Sequence, residues 1–161
     1  MSFPFAAYDA LMADCQAAPL DGVTVPSPML KHTISRLLEA ERQQNHEEMR
    51  VYAIALLRST VRYIVQHSAE QTPASVLADC RAIVRDRDQA GRNAAVPFWE
   101  GFPHGHSDIS FELWRRVARI QGAEQRQRPD VALGDAHDLV NYAAFYLLCL
   151  DHEKGQTYGD R

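Results

Sequence analysis

Residues 134–150 read GDAHDLVNYAAFYLLCL, and this stretch decides the fold class. From Leu139 onward its last twelve residues are apolar or aromatic apart from one asparagine. An apolar run of this length, uninterrupted by turn residues, predicts a deeply packed helix. The stretch nevertheless opens with Asp135 and Asp138, three residues apart and therefore on one side of the helix. These acids need an explanation, because a buried carboxylate is costly unless it is paired or binds a cation.

Helical periodicity recurs along the rest of the chain and strand alternation hardly occurs, which predicts an all-α bundle of about six helices. Asn45 followed by Glu48, and Thr72 followed by Pro73, have the chemistry of helix starts. The segment 92–110 contains two prolines, two glycines and several aromatic residues, so we expect a loop there. After Gly155 we expect a frayed tail. The helices are expected at about 4–17, 28–44, 45–67, 73–91, 110–121 and 129–152, with the last one beginning at either Pro129 or Leu133.

A chain of 161 residues suits one compact unit. We assign residues 73–161 to a helical core and residues 1–72 to an N-terminal helical extension. Two segments of the extension resemble segments of the core. ISRLLEAERQQ (34–44) resembles VARIQGAEQRQ (117–127), and EEMRVYAIALL (47–57) resembles HDLVNYAAFYLL (137–148). Aligning Tyr52 with Tyr142 leaves the two connecting loops different by seven residues. The extension is therefore interpreted either as a degenerate repeat or as shared helical composition.

The composition excludes several functional classes. The formal net charge is −4, so no overall positive field favours nucleic acid or an anionic membrane. The three cysteines are far apart and match no metal or redox spacing, which predicts reduced, packed thiols. The N-terminus lacks the basic region of a signal peptide, and no apolar run reaches the roughly 20 residues of a membrane span. We therefore expect a soluble, cytoplasmic protein.

The two acids of the last helix share their side with another polar residue. Asp135, Asp138 and Tyr142 fall within about 60° of one another, and Asn141 lies at the edge of that face. Two carboxylates from one helical turn suit Mg²⁺, which typically binds one or two carboxylates together with waters and substrate phosphates. The alternative is structural: Asp135 interacts with the helix N-terminus and Asp138 pairs with an arginine.

The preceding helix carries a complementary stripe of charges. Glu112, Arg115, Arg116 and Arg119 follow the spacing i, i+3, i+4, i+7. In the functional interpretation Arg116 and Arg119 face the two acids or the phosphates of a nucleotide, and Glu112 is a third acid. In the alternative interpretation the stripe is a solvated face with a weak Glu112–Arg116 pair.

Taken together, WRRVARIQ and DAHDLVNYAAFYLL resemble the C-terminal half of the MazG-like all-α nucleoside triphosphate pyrophosphohydrolase superfamily, especially its small, phage-type branch. The resemblance covers about residues 75–152. VRDRDQAG (84–91) is similar to a first motif through Arg87, Asp88 and Gly91, with Ala90 at the usual aromatic position. RVAR is similar to the K-x-x-R motif. The D-x-x-D-[L/I]-x-N-Y motif is matched by Asp135, Asp138, Asn141 and Tyr142.

The resemblance implies Mg²⁺-dependent cleavage of a (d)NTP into the (d)NMP and pyrophosphate, in a site between helices and usually in an oligomer. It implies that three acids are catalytic and bind the metal: Glu112, Asp135 and Asp138. It also implies that five residues bind the substrate: Arg87, Arg116, Arg119, Asn141 and Tyr142. The expected partners are a nucleotide and a second copy of the chain, and neither a membrane nor nucleic acid.

The chain departs from the family at one motif. Better-known members have an E-x-x-E pair on the helix before the D-x-x-D helix, where this chain offers only Glu112. The metal site is then completed by Glu47 or Glu48, by Asp86 or Asp88, or by no further acid. The last case predicts an inactive nucleotide-binding protein or an oligomeric helical interaction module.

The sequence contains two other candidate metal sites. The dipeptide His137-Asp138 is similar to HD-type phosphohydrolases, although its possible partner Asp151 lies about 20 Å further along the same helix. In PHGHSD, His104, His106 and Asp108 form either a metal clamp or an ordinary surface loop. Three neighbouring aromatic residues are expected to form either a wall for a nucleobase or a plug at the end of the bundle: Phe98, Trp99 and Phe102.

Overall fold

The computed structural model describes residues 3–16, 23–90 and 98–159, with side chains as far as Gly155. These residues form six α-helices and one 3₁₀ helix, with no strand among them, which confirms the all-α prediction. The features expected at 17–22 and at 91–97, including Gly91, lie outside the described residues. The helices are α1 Phe5–Gln16, α2 Ser27–Arg42, α3 His46–His67, α4 Pro73–Gln89, the 3₁₀ helix Phe98–Gly101, α5 His106–Gln125 and α6 Pro129–Gly159.

Local sequence correctly predicts two helix starts. The Asn45 side chain accepts a hydrogen bond from the amide of Glu48 at 3.2 Å, at the start of α3. Before α4, the Thr72 hydroxyl accepts from the amide of Ser75 at 3.1 Å, and the Ser75 hydroxyl accepts from the amide of Thr72 at 2.8 Å. Both caps satisfy amide groups that have no partner inside the helix.

The prediction of a loop over 92–110 is wrong for its last residues, because α5 already begins at His106. Gly105 turns the chain with φ 65°, and the His106 amide donates to a carboxylate oxygen of Glu153 in α6 at 2.9 Å. This cap comes from 47 residues away, so the local sequence contains no signal for it. The last helix also exceeds its predicted end at His152 and continues to Gly159.

Two antiparallel hairpins, α2–α3 and α5–α6, form the centre of the bundle. They pack along α3 and α6 and more lightly along α2 and α5, while α1 and α4 pack against α3 and α6. Within the apolar run 139–150, every residue except Tyr142 and Phe145 is buried in this single chain. The apolar character of α6 therefore needs no subunit interface to explain it. Among the described residues, no helix has the length and apolarity needed to cross a membrane.

The cysteines are free and buried, as predicted, and their burial affects stability at high pH. Burial, with smaller contributions from nearby acids, raises the pKa of Cys80 and of Cys149 to about 12. Since these thiols hold their protons more tightly in the folded state, their contribution is complete below pH 9 and is lost as the pH rises towards 12.

We therefore expect the free energy of unfolding to fall above pH 9 by up to about 1.4 kcal/mol per pH unit for each thiol. Urea denaturation from pH 7 to 11 measures this slope. The Cys149→Ala variant should have a shallower slope than the unsubstituted protein. A free energy of unfolding that stays constant up to pH 11 would contradict the expectation.

Candidate functional site

Charged side chains from three helices meet at the start of α6. We call this group the arginine–carboxylate cluster. The resemblance named most of its members, and the structure places them together although they come from separate segments of the chain. Its members are Arg87 of α4, Glu112, Arg115, Arg116 and Arg119 of α5, and Asp135 and Asp138 of α6.

Arg116 occupies the centre of the cluster. Its Nη1 lies 3.0 Å from Asp135 Oδ1 and 3.4 Å from Asp138 Oδ2. Its guanidinium carbon lies 5.5 Å from the ring centroid of Tyr142, within the range of a cation–π contact. Burial acts to lower the pKa of Arg116, but the hydrogen bond with Asp135 and the charge of Asp138 raise it overall. Arg116 therefore stays charged and fixes both acids.

The remaining arginines surround this centre with their ends partly in solvent. Arg119 Nε lies 3.1 Å from Asp135 Oδ1, Arg87 Nη2 lies 3.2 Å from Asp138 Oδ1, and Arg115 Nη1 lies 3.5 Å from Glu112. Their side chains are between 41% and 51% exposed, whereas that of Asp135 is only 3% exposed. Four guanidinium groups face three carboxylates, so the cluster has a net positive charge.

Two buried atoms in the cluster have no hydrogen-bond partner: Glu112 Oε2 and Arg116 Nε. Arg116 Nη2 lies 3.9 Å from Glu112 Oε2, beyond hydrogen-bond range. Unsatisfied buried polar atoms are rare in folded proteins, and each one calls for an explanation such as a bound ion or water.

Asn141 and Tyr142 have different surroundings. Tyr142 contacts the cluster through Arg116. Asn141 is buried and bridges two other helices: its Oδ1 accepts from the Tyr8 hydroxyl at 2.8 Å, and its Nδ2 donates to the Cys80 carbonyl at 3.1 Å. Both polar groups of Asn141 are thus used within the protein. The sequence carried no signal for the roles of Tyr8 and Cys80, because they belong to α1 and α4.

The acids suggested as additional metal ligands lie elsewhere or have other partners. Glu47 and Glu48 begin α3, next to the far end of α6, where Arg50 pairs with Asp151 at 2.5 Å. Asp86 pairs with Arg85 at 3.4 Å, and Asp88 accepts the amide of Phe3 at 3.1 Å. In the described ranges, no group of three or more His, Cys, Asp or Glu side chains is arranged to hold a metal ion. Asp135 and Asp138 are instead paired with arginines, which the structural interpretation predicted for Asp138 but not for Asp135, assigned there to the helix N-terminus.

Two of the three candidate histidines have a ring-nitrogen partner within the protein, and the third is held through its backbone amide. His106 Nδ1 lies 2.7 Å from Glu153, the amide of His104 donates to Asp108 at 2.8 Å, and His137 Nδ1 lies 2.8 Å from the Leu133 carbonyl of its own helix. The loop PHGHSD therefore forms the start of α5, and no feature of it resembles a clamp.

The aromatic residues of the 3₁₀ segment divide between two roles. Phe98 is buried and packs edge-on against Phe3 and Phe145, as a plug at the end of the bundle. Trp99 stacks on His152 with ring centroids 4.1 Å apart. Trp99, Phe102 and His152 line part of an open cavity of about 490 Å³ at this end, away from the cluster.

Comparison of the chain with protein-family models, curated proteins and solved structures found no match. The interpretation of the cluster rests on its geometry and on the motif resemblance described above.

Proposed function

We propose that this protein binds the phosphate groups of a nucleoside triphosphate at the arginine–carboxylate cluster and hydrolyses it, with Mg²⁺, to the monophosphate and pyrophosphate. One observation carries the proposal: three helices bring four arginines and three carboxylates to one place. Arginine is well suited to phosphate because its planar group donates two parallel hydrogen bonds. Positioning and charge stabilisation account for most of the catalysis in phosphoryl transfer.

The partly exposed arginines support phosphate binding. Arg87, Arg115 and Arg119 each contact a carboxylate on one side and solvent on the other. Their guanidinium groups are thus held in place while nitrogen atoms remain accessible to a ligand. The excess of positive charge favours an anion over a free cation at this surface.

The donor chemistry of the cluster fits Mg²⁺, which prefers carboxylate oxygens. Glu112 Oε2 is buried and unpartnered, as a ligand awaiting a cation would be. Asp138 and Asp135 would be the other ligands, and they share their oxygens with Arg116. Magnesium and Arg116 therefore compete for the same atoms, so we expect the ion to bind together with phosphate. When bound, Mg²⁺ would neutralise phosphate charge and activate water.

A second function has its own supporting observation. Because both oxygens of Asp135 and of Asp138 already lie near guanidinium nitrogens, the cluster is complete as a set of ion pairs. In that case the protein binds nucleotide without cleaving it. Partner binding through α5 is also proposed, since Phe111 is 66% exposed and Trp114, three residues further along, is 39% exposed.

Release of pyrophosphate from a panel of NTPs and dNTPs tests the proposal. We expect turnover that requires Mg²⁺ and stops in Asp138→Ala, because this change removes a proposed metal ligand and the partner of Arg87. Asp130→Ala is the matched control, since Asp130 lies on the same helix, is 67% exposed and pairs outside the cluster with Arg128 at 3.1 Å. This control should retain full activity.

Thermal unfolding with each nucleotide separates the two functions. A nucleotide-dependent rise in Tm without pyrophosphate release would favour binding without turnover. Neither a shift nor release across the whole panel would rule out both functions and leave the cluster as a structural element.

A further inference from the structure

The loops of the two central hairpins have the same backbone structure. Both contain a glutamine with positive φ: 53° at Gln44 and 55° at Gln127. In the first loop the amides of residues 43, 44 and 45 donate to the carbonyls of 39, 41 and 40. In the second loop the amides of 126, 127 and 128 donate to those of 122, 124 and 123. Each residue number in the second loop is 83 higher than its counterpart, and the loops are equal in length rather than different by seven residues.

The same shift relates two hydrogen bonds that join the hairpins. The Tyr63 hydroxyl donates to Glu124 at 2.5 Å, and the Tyr146 hydroxyl donates to Glu41 at 2.7 Å. Adding 83 to Tyr63 and Glu41 gives Tyr146 and Glu124. The position of Tyr63 in one unit contacts the position of Glu41 in the other, and the reverse contact is also present. Such reciprocal contacts indicate a two-fold axis between equivalent units.

The buried positions of the hairpins agree with this register. Five of the six buried positions on α2 have a buried counterpart 83 residues later on α5, with identical residue types at three of the five; the sixth, Thr33, corresponds to the partly buried Arg116. The α2 positions are Ser27, Leu30, Ile34, Leu37 and Ala40, and the α5 positions are Ser110, Leu113, Val117, Ile120 and Ala123. The buried positions of α3 at 49, 53, 56, 57, 60, 61, 63 and 64 likewise have buried counterparts 83 residues later in α6.

The outer helices α1 and α4 make equivalent contacts, although a shift of 65 residues relates them and not one of 83. Arg58 of α3 donates to the carbonyl of Cys15 at the end of α1. Its counterpart in α6 is Asn141, which donates to the carbonyl of Cys80 in α4. In both halves, the same position on the third helix therefore donates a side-chain hydrogen bond to a backbone carbonyl of the first helix.

We propose that α1–α3 and α4–α6 are two copies of one three-helix unit, packed as the subunits of a symmetric dimer are, and that only the second copy carries a phosphate site. The second part of this proposal rests on the proposed function. In this shift of 83 residues Tyr52 corresponds to Asp135. The shift therefore replaces the alignment of Tyr52 with Tyr142 that the sequence suggested.

The first unit retains the outline of the cluster without its charges. Arg36 corresponds to Arg119, and it donates to the Tyr52 hydroxyl at 3.2 Å just as Arg119 pairs with Asp135. Five further cluster residues have counterparts that are neither arginine nor acid: Met29 stands for Glu112, His32 for Arg115, Thr33 for Arg116, Tyr52 for Asp135 and Ala55 for Asp138. One of the two equivalent surfaces therefore lacks the arginines and acids of a phosphate site, apart from Arg36.

Rebuilding the cluster in the first unit tests this proposal. The variant Met29→Glu, His32→Arg, Thr33→Arg, Tyr52→Asp, Ala55→Asp supplies the five missing counterparts of the α5 and α6 cluster residues around Arg36, which is already present. Met29 is 38% exposed, so the added glutamate stays near solvent. We expect inorganic pyrophosphate with Mg²⁺ to bind the unsubstituted protein at one site and this variant at two, as measured by isothermal titration calorimetry. A folded variant that still binds one equivalent overturns the proposal.

A second measurement needs no ligand. It tests the repeat even if the unsubstituted protein binds no pyrophosphate or the variant does not fold. Tyr63→Phe and Tyr146→Phe remove equivalent hydrogen bonds to carboxylates, and each should lower Tm by a similar amount, about 3–8 °C. Shifts that differ by more than twofold overturn the repeat. Equal shifts without pyrophosphate binding support the two-unit architecture and refute the proposed function alone.

Discussion

Arg116→Ala is expected to lower the free energy of unfolding by about 3 kcal/mol, because it leaves buried Asp135 with only the half-exposed Arg119 as a partner. For a chain of this length, that corresponds to a fall in Tm of about 6–12 °C. The same change removes the cation–π contact with Tyr142. It should also abolish nucleotide-dependent stabilisation, since the central guanidinium orients both acids.

Arg115→Ala is the matched control for this prediction. Arg115 is the preceding residue on α5, it is 51% exposed, and it contacts only Glu112, at 3.5 Å. Exposed pairs of this kind contribute between about 0 and 1 kcal/mol. Equal losses of stability in the two variants would contradict the central role of Arg116.

The double variant Arg116→Met, Asp135→Leu examines the cause of the loss. In Arg116→Ala the buried Asp135 carboxylate is left without its main partner. If this causes the loss of stability, replacing both partners with apolar residues should restore part of the free energy of unfolding. The double variant should nevertheless fail to bind nucleotide. A double variant less stable than Arg116→Ala would show that the pair itself contributes net stability.

Gly105→Ala is expected to lower the free energy of unfolding by about 2–4 kcal/mol, for two separate reasons. Gly105 has φ 65° and ψ −136°, a conformation that side-chain-bearing residues rarely adopt. A Cβ at this position would lie 1.8 Å from Glu153 Oε1, the atom that accepts the amide of His106. The substitution therefore strains the backbone and removes the cap of α5.

Gly101→Ala provides the control, since no atom lies within 4 Å of the position of its Cβ. We expect the change to leave Tm within about 2 °C of the unsubstituted value. Thermal unfolding of both variants by circular dichroism measures the difference. Similar Tm values for the two variants would show that the turn at Gly105 tolerates a side chain.

Local chemistry accounts for the parts of the fold that the sequence predicted correctly. Asn45 and Thr72 satisfy amides within three residues of themselves, so their sequence neighbourhood contains the whole interaction. The start of α5 depends on Glu153, which lies 47 residues away from His106, and no local pattern contains that information.

The candidate site also depends on contacts between distant segments, which local sequence could not predict. Helical spacing placed Asp135 and Asp138 on one face correctly, but spacing alone left open whether their partner is a cation or an arginine. The structure pairs them with arginines of α4 and α5. Asn141 lies at the edge of that face, and the small rotation directs its amide to α1 and α4 instead of the cluster.

The hydrogen bond between Tyr8 and Asn141 has a consequence during synthesis of the chain. It spans 133 residues, so α1 leaves the ribosome long before its binding surface on α6 exists. At roughly 5–20 residues per second, the delay is about 7–27 s. During that time Phe3 and Tyr8, both buried in the finished protein, lack the part of their covering that α6 supplies. We expect nascent chains stalled before α6 to bind chaperones through this N-terminal segment.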